Sequence, residues 1–337
     1  MALTLASAAV VRPPATQAFG AWRAAAARTF DAATSTPERS LCETVYGDAG
    51  LDARRLGAAL PAPERARFRD AGAHTQRDLA LAAFDALLQA PGGPGTADDC
   101  SLLLYAAASM DVHFHQSPVG WLAARYKLTR RPHFALAQLQ GAALAGAADI
   151  IDAMLDVDGA AAFVAAEAWP LPFPRACAGP SLLGDAGAAL WLTRACVPGL
   201  RLAGTWQQSC DPFVLPGHGD QGGAILHAHL RVAAEQVLLA ALAYHGFDTA
   251  MVDGWLPSGF DMALDESLRQ RCAPRAAYAA VPRADDGWFC SAASAVLCAD
   301  VLDRVRAGEL ADGALLLSWG VSLGGAIGVS LWRVASA

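Results

Sequence analysis

From Gly313 to Trp332 the chain runs for twenty residues without a charge, GALLLSWGVSLGGAIGVSLW. As one helix that length spans a bilayer. Four glycines (Gly320, Gly324, Gly325, Gly328) and three serines (Ser318, Ser322, Ser330) instead divide it into two short strand-like halves around a glycine turn. The segment therefore reads as a β-hairpin buried on both faces, and no membrane span is expected. A hairpin this apolar needs cover on both sides, so the chain must build a large layered core. Its 337 residues, 54% hydrophobic and only 17% charged, suit two domains or one large duplicated one.

A net charge of −7 argues against nucleic acid as the main partner, because phosphate binding needs clustered Lys and Arg. The densest basic cluster, Arg125, Lys127, Arg130 and Arg131, reads as a solvated helix end ahead of a carrier-protein docking patch. Eight scattered cysteines with no CxxC pair indicate reduced thiols and a cytoplasmic protein. The N-terminal MALTLASAAVVRPP has no basic region before its apolar stretch, so it reads as a first strand ending at Pro13-Pro14 and not as a signal peptide.

Helices are expected over about 75–88, 118–126, 142–155, 226–244, 260–271 and 291–307, and strands over 101–107, 134–138, 160–167, 184–194, 201–208 and 250–256, with the terminal hairpin closing the chain. Buried strands alternating with helices indicate an α/β architecture with helix-covered sheets. The second half repeats the helix–strand rhythm of the first. That suggests an internal duplication with halves at 1–200 and 201–337.

One junction invites chemistry. In FALAQLQGAALAG, Phe134 to Gly146, a β-type run breaks at Gln138-Leu139-Gln140 and Gly141 opens a small-residue helix. Such a strand-to-helix elbow aims a side chain at a cleft and offers backbone N–H groups to an anion. Enzymes place Ser or Cys at the tip, whereas the candidate here is Gln140.

The order of several segments resembles the ketoacyl-ACP synthase III-like branch of the thiolase superfamily. They are FRDAGAHTQRDLALAAFDALL followed by SLLLYAAASMD, then the FALAQLQGAALAG elbow, GDAGAALWL, WLPSGFDMAL, FCSAAS and the terminal WGVSLGGAIGVSLW. The resemblance implies a thiolase-like α-β-α-β-α layered fold of two duplicated halves. It also implies a dimer acting on acyl thioesters of coenzyme A or acyl carrier protein, with no further cofactor and no metal. In that family a Cys at a helix N-terminus takes the acyl group, and a His and an Asn stabilise the enolate formed on decarboxylation. A thiolate at a helix N-terminus is nucleophilic at neutral pH and a good thioester partner, and paired N–H donors hold the oxyanion.

Carried over by position, the Cys falls on Gln140, the His on Ser258 (or, shifted by one residue, on Pro257) and the Asn on Phe289, with Ser258 and Phe289 31 residues apart. An amide forms no thioester and a phenyl ring donates no hydrogen bond, so ordinary condensation is not expected. Gln140 is either a filler at a dead elbow or, as in loading ketosynthases of modular polyketide enzymes, the mark of a malonyl decarboxylase. Ser258 is either a surrogate donor or a plain loop serine, and Cys290 is a displaced nucleophile or a buried structural thiol. By the same resemblance Phe114, between His113 and His115, caps the acyl pocket of a neighbouring subunit or simply packs at the interface. His113 and His115 lack a third metal ligand, as do His227 and His229. Gly320, Gly324 and Gly325 are read as allowing close backbone approach at the old active site. The expected function is a catalytically degenerate ketosynthase III-like subunit of fatty-acid, polyketide or specialised-metabolite biosynthesis, forming a homodimer or pairing with an intact ketosynthase. The alternative is an enzyme on acyl or malonyl thioesters, a Gln-type malonyl decarboxylase or an acyltransferase.

Overall fold

The structure, a computed structural model, describes residues 2–32, 65–109, 117–169, 175, 182–210 and 219–336. The expected contacts of His113, Phe114 and His115 lie outside the described residues. Twelve strands and seven helices are found among them, in the order β1 (Thr4–Val11), β2 (Thr16–Ala18), α1 (Phe19–Ala32), β3 (Arg67–Arg69), α2 (Gln76–Gln89), β4 (Cys100–Ala107) and α3 (Pro118–Arg125). There follow β5 (His133–Ala137), α4 (Ala143–Met154), β6 (Ala160–Glu167), β7 (Ala186–Thr193), β8 (Gly199–Ser209) and α5 (Gly219–Tyr244). The chain ends with β9 (Gly254–Leu256), α6 (Met262–Cys272), β10 (Tyr278–Ala279), α7 (Ala293–Arg306), β11 (Leu315–Val321) and β12 (Ala326–Ala335).

Ten strands join in the order β10-β9-β11-β12-β8-β1-β7-β6-β4-β5, and β2 pairs with β3 as a separate ribbon. Read from either outer edge inward the pattern is the same. Two parallel pairings are followed by two antiparallel ones: β5·β4, β4·β6, β6·β7, β7·β1 on one side and β10·β9, β9·β11, β11·β12, β12·β8 on the other. Only a short antiparallel contact, Thr4 with Arg201 and Leu5 with Leu200, links β1 to β8.

Every residue of β6 (AAAFVAAE) and β7 (AGAALWLT) is buried, which requires helices on both faces. On one face α2 packs on β7, β1 and β6, and on the other side α5 covers β12 and β8. Helices α4 and α7 touch strands of both series and form the layer between them. Together these give an α-β-α-β-α arrangement. Alanine and glycine make the close layering possible: a Cβ on Gly187 would fall into the backbone of Leu79 on α2.

Local chemistry starts the outer helices. Thr75 and Asp78 form a reciprocal capping box on α2, Ser117 with Pro118 opens α3, and Asp261 accepts from Ala263 and Leu264 at the start of α6. The terminal charge-free segment is the hairpin β11–β12, with Trp319 opposite Val329 and Gly320 opposite Gly328. No helix among the described residues is long and apolar enough to cross a membrane. One strand is shorter than its sequence suggests. Residues 249–251 form a 3-10 turn capped by Asp248, whose carboxylate binds the Ala250 and Met251 amides, so β9 begins only at Gly254.

Candidate active site

The two inner helices start differently from the outer ones. Neither α4 nor α7 has a side-chain cap; each is entered through a 3-10 turn, residues 140–142 and 290–292. The first residue of each turn lies in the left-handed region, Gln140 at φ 46° and Cys290 at φ 49°, and Gln138 joins them at 62°. Left-handed backbone costs a non-glycine residue roughly 1 kcal/mol or more, so the surrounding structure must hold it. The two elbows are thus the same local device, one tipped with an amide and the other with a thiol.

The first elbow is held by the C-terminal hairpin. The Ser322 hydroxyl donates to the Gln138 carbonyl at 2.9 Å, and the Leu323 amide donates to Gln140 Oε1 at 2.7 Å. From α7 the Ser294 hydroxyl donates to the Gly141 carbonyl at 3.1 Å, and Gln207 Nε2 donates to the Ala142 carbonyl at 3.2 Å. The backbones meet with no side chain between them. A Cβ on Gly141 would lie 3.0 Å from both Val321 N and Val321 O, and one on Gly320 would overlap the Gly141 carbonyl. Gly325, at φ 102°, turns the hairpin, and its carbonyl accepts from Cys210 N at 2.6 Å. Gly324 N donates to Ser322 Oγ at 3.1 Å. Gln140, Gly324 and Gly325 therefore belong to one neighbourhood, joined through Leu323.

The second elbow rests on Glu167, at the end of β6. This fully buried carboxylate accepts from Ala108 N at 2.9 Å, Ser109 N at 2.7 Å and Ser291 N at 3.0 Å. Burial pushes its pKa up, while the hydrogen bonds from Ser109, Ser291 and Ala108 pull against that rise. Cys290 at the tip is 0% exposed.

Ser258 and Phe289 line one small cleft with Arg12, Asp286 and Asp300; its volume of about 20 Å³ is room for one water. Gln140 does not line it. The structure thus brings Ser258 and Phe289 together at this cleft, while the turn that Gln140 opens packs against both the hairpin and the 290–292 turn that follows Phe289. Ser258 is 1% exposed, and its hydroxyl and amide both bind Asp265, at 3.1 and 2.9 Å from Oδ1. The same carboxylate takes Gly259 N at 3.0 Å, and Ser258 Oγ also accepts from Phe260 N at 3.2 Å. Burial raises Asp265 to about 7, against the hydrogen bonds of Ser258 and Gly259. A serine next to a carboxylate of that pKa has the elements of a nucleophile and base. Here both sit in the core with no space for a substrate, and the pair folds the 258–260 loop onto α6. The Phe289 ring packs against Gly184, where a Cβ would come within 3.1 Å of its Cε1.

Two groups escaped the sequence reading. Asp265 is visible only as an acid in the first turn of α6, and Glu167 only as the charged end of an all-apolar run; that single charge was the signal available. Among the described residues no group of three His, Cys, Asp or Glu is placed to hold a metal. His229 is exposed on α5. No disulfide joins any two of Cys100, Cys196, Cys210, Cys272, Cys290 and Cys298 among the described residues.

No family model matches this sequence, and no curated protein matches it. Solved structures do match its fold. ChlB3, named as an acyltransferase, superposes with a TM-score of 0.71 at 17% identity, over 100% of this chain and 98% of its own. A variant of Xanthomonas campestris OleA gives 0.69 at 15% identity over 99% and 98%, respectively. FabH of Pseudomonas aeruginosa, a 3-oxoacyl-(acyl carrier protein) synthase III, gives 0.65 at 16% over 100% and 99%. The chain therefore has, over its whole length, the thiolase-like α/β fold of these three structures.

Proposed function

We propose that this chain is a catalytically degenerate ketosynthase III-like subunit that pairs with an intact ketosynthase and shapes its acyl pocket in a biosynthetic pathway of the cytoplasm. In this reading its halves are 1–200 and 201–337, and Gln140, Ser258 and Phe289 stand where an active relative has Cys, His and Asn. One observation carries the proposal: the elbow tip is closed on itself, because Gln140 Oε1 takes the Leu323 amide at 2.7 Å. A tetrahedral adduct at this tip needs free backbone donors for its oxyanion, and the nearest hairpin donor is occupied by the residue that replaced the nucleophile.

The sheet edge supports the pairing. β5 is an outermost strand whose five residues HFALA are all half-buried or exposed, with Phe134 42% exposed. An unpaired apolar edge is a template for strand addition from a second subunit. Residues 113–115 follow β4 in the sequence, and in this proposal they cross to the partner, where Phe114 covers its acyl chain.

A second reading, a malonyl-thioester decarboxylase, draws on the same side chain. Gln140 Nε2 has no hydrogen-bond partner among the described residues and is able to donate to a thioester carbonyl. One paired assay separates the two. The purified protein, alone and with a co-expressed intact ketosynthase, receives malonyl thioester, and mass spectrometry follows acetyl thioester and acyl loading. No turnover alone, with a stable complex in which only the partner is loaded, supports the degenerate subunit. Decarboxylation by the chain alone, abolished in Gln140→Ala, refutes it.

A further inference from the structure

Strands β1 and β8 meet only near their first residues, so each continues with one edge that no strand covers. β1 pairs with β7 along its length but with β8 only at Thr4 and Leu5. β8 pairs with β12 from Gly199 to Ser209 but with β1 only at Leu200 and Arg201, beside one bond from Leu202 N to Leu3 O. Carbonyls on such an edge need donors from elsewhere. On β1 a cation supplies them. Arg306, in the last turn of α7, donates from Nη2 to Ala6 O at 3.3 Å and Pro91 O at 2.7 Å, and its Nη1 meets Asp303 Oδ1 at 3.1 Å. On β8 the Thr205 carbonyl accepts from His245 Nε2 at 2.8 Å, and the inner helix beside it, α4 (ALAGAADIIDAM), has no arginine or lysine to bring.

The β8 edge instead borders a groove of about 530 Å³, within the range of small-molecule sites. From α4, Asp149 and Asp152 line it. Asp152 is paired with Arg194, whose Nη1 lies 3.0 Å from its Oδ1 and whose Nε and Nη2 donate to the Leu155 and Asp152 carbonyls. Asp149 has no cation partner among the described residues; it is exposed, and its Oδ1 accepts from the Thr205 hydroxyl at 3.2 Å. One residue on, and so on the opposite face of β8, Trp206 lines the same groove with Tyr244. Their ring centroids are 4.8 Å apart with planes at 53°, and Tyr244 is 71% exposed, so an occupant reaches its ring. Among the described residues Arg194 is the one arginine or lysine on these walls, and Asp152 neutralises it, which disfavours an anion.

We propose that this groove binds an elongated organic cation, a guanidinium on a short chain that ends in a flat ring. Asp149 holds the guanidinium at an edge where β1 has the guanidinium of Arg306, and Trp206 with Tyr244 holds the ring on the other face of the strand. The site does not depend on the proposed function. It borders the first elbow, because Gln207 also lines the groove and its Nε2 donates to the Ala142 carbonyl at 3.2 Å.

Isothermal titration of the full chain with three probes tests this. They are phenethylguanidine, its neutral isostere phenethylurea, and ethylguanidine, which has the cation but no ring. Saturable one-to-one binding of phenethylguanidine is expected. The urea should bind about threefold more weakly, the strength of one exposed charge pair, and ethylguanidine about tenfold more weakly for want of the ring contact. Asp149→Asn keeps an acceptor for Thr205 and should weaken phenethylguanidine about threefold while leaving the urea unchanged. Tyr244→Ala should weaken both phenethyl compounds about threefold and leave ethylguanidine unchanged. Both side chains are exposed, so neither change disturbs the core. Asp303→Asn, beside Arg306 at the β1 edge, is the control and should alter nothing. The proposal is overturned if phenethylguanidine does not saturate or if the urea binds as tightly. Parent-like binding of phenethylguanidine by Asp149→Asn or by Tyr244→Ala, or an effect of Asp303→Asn as large as that of Asp149→Asn, overturns it equally.

Discussion

Replacing Gly320 by alanine tests whether the elbow and the hairpin form one rigid joint. The added carbon would overlap the Gly141 carbonyl, with Ala142 N next at 3.1 Å, so the obstruction is backbone that cannot rotate away. The neighbouring strand has no slack either, because at Gly328 a Cβ would sit 2.8 Å from the Ala145 Cβ and 3.0 Å from the Ala142 carbonyl. Relief requires the hairpin to retreat by about 1 Å, and overpacking of that kind costs roughly 1–3 kcal/mol. Retreat also breaks Leu323 N to Gln140 Oε1 and Ser322 Oγ to Gln138 O, at roughly 1 kcal/mol each. The expected loss is therefore about 3–5 kcal/mol. In a chain of 337 residues this lowers Tm by roughly 5 °C, taking about 2 cal/mol/K of unfolding entropy per residue. Gly324→Ala is the internal control, because its Cβ would meet only the rotatable Ser322 hydroxyl at 3.3 Å. Its expected change is within about 1 kcal/mol of zero. Urea unfolding and calorimetry read both variants. Equal stabilities would refute the joint and, with it, the claim that Gln140 is held by the hairpin.

Gln140→Ala removes the bond to Leu323 but keeps the left-handed backbone, so it should destabilise by about 1 kcal/mol, whereas Gln140→Gly also relieves the strain and should come out near zero in the same unfolding assay. Asp265, raised to about 7 from 3.8, holds its proton more tightly in the folded state. Its contribution is therefore complete below pH 4, declines as pH rises toward 7 and is flat above; unfolding at pH 5 and pH 8 should show a loss of about 3 kcal/mol that Asp265→Asn removes. Arg175→Ala leaves Asp185, 1% exposed, buried without its cation, and should cost about 3–5 kcal/mol by denaturant titration. Phe134→Asp places a charge on the open β5 edge and should shift the protein toward monomer in light scattering without lowering its Tm. In maleimide labelling, exposed Cys196 should react in the native protein and buried Cys290 only on unfolding.

Much of this architecture was legible in the chain. Runs such as AAAFVAAE and AGAALWLT have no amphipathic alternation, and strands of that kind are stable only between two helical layers. The glycines of GALLLSWGVSLGGAIGVSLW likewise exclude one long helix, because their cost in a helix is high and their value in a turn is direct. The elbow at Gln140 was marked by a strand pattern ending where a small-residue helix begins.

Other features exist only once the layers are stacked. Nothing local relates Gln140 to Leu323, 183 residues away, or Ser291 to Glu167, 124 residues away, and both pairs form because the inner helices bring distant strand ends to one place. The equivalence of Gln140 and Cys290 is a matter of backbone angle, since QGA and CSA share only their final alanine. Sequence periodicity reports which face of an element is apolar, and that determined the layers. Which polar groups meet inside depends on the placement of whole elements, so the closed elbow and the Ser258–Asp265 pair were decided by tertiary packing alone.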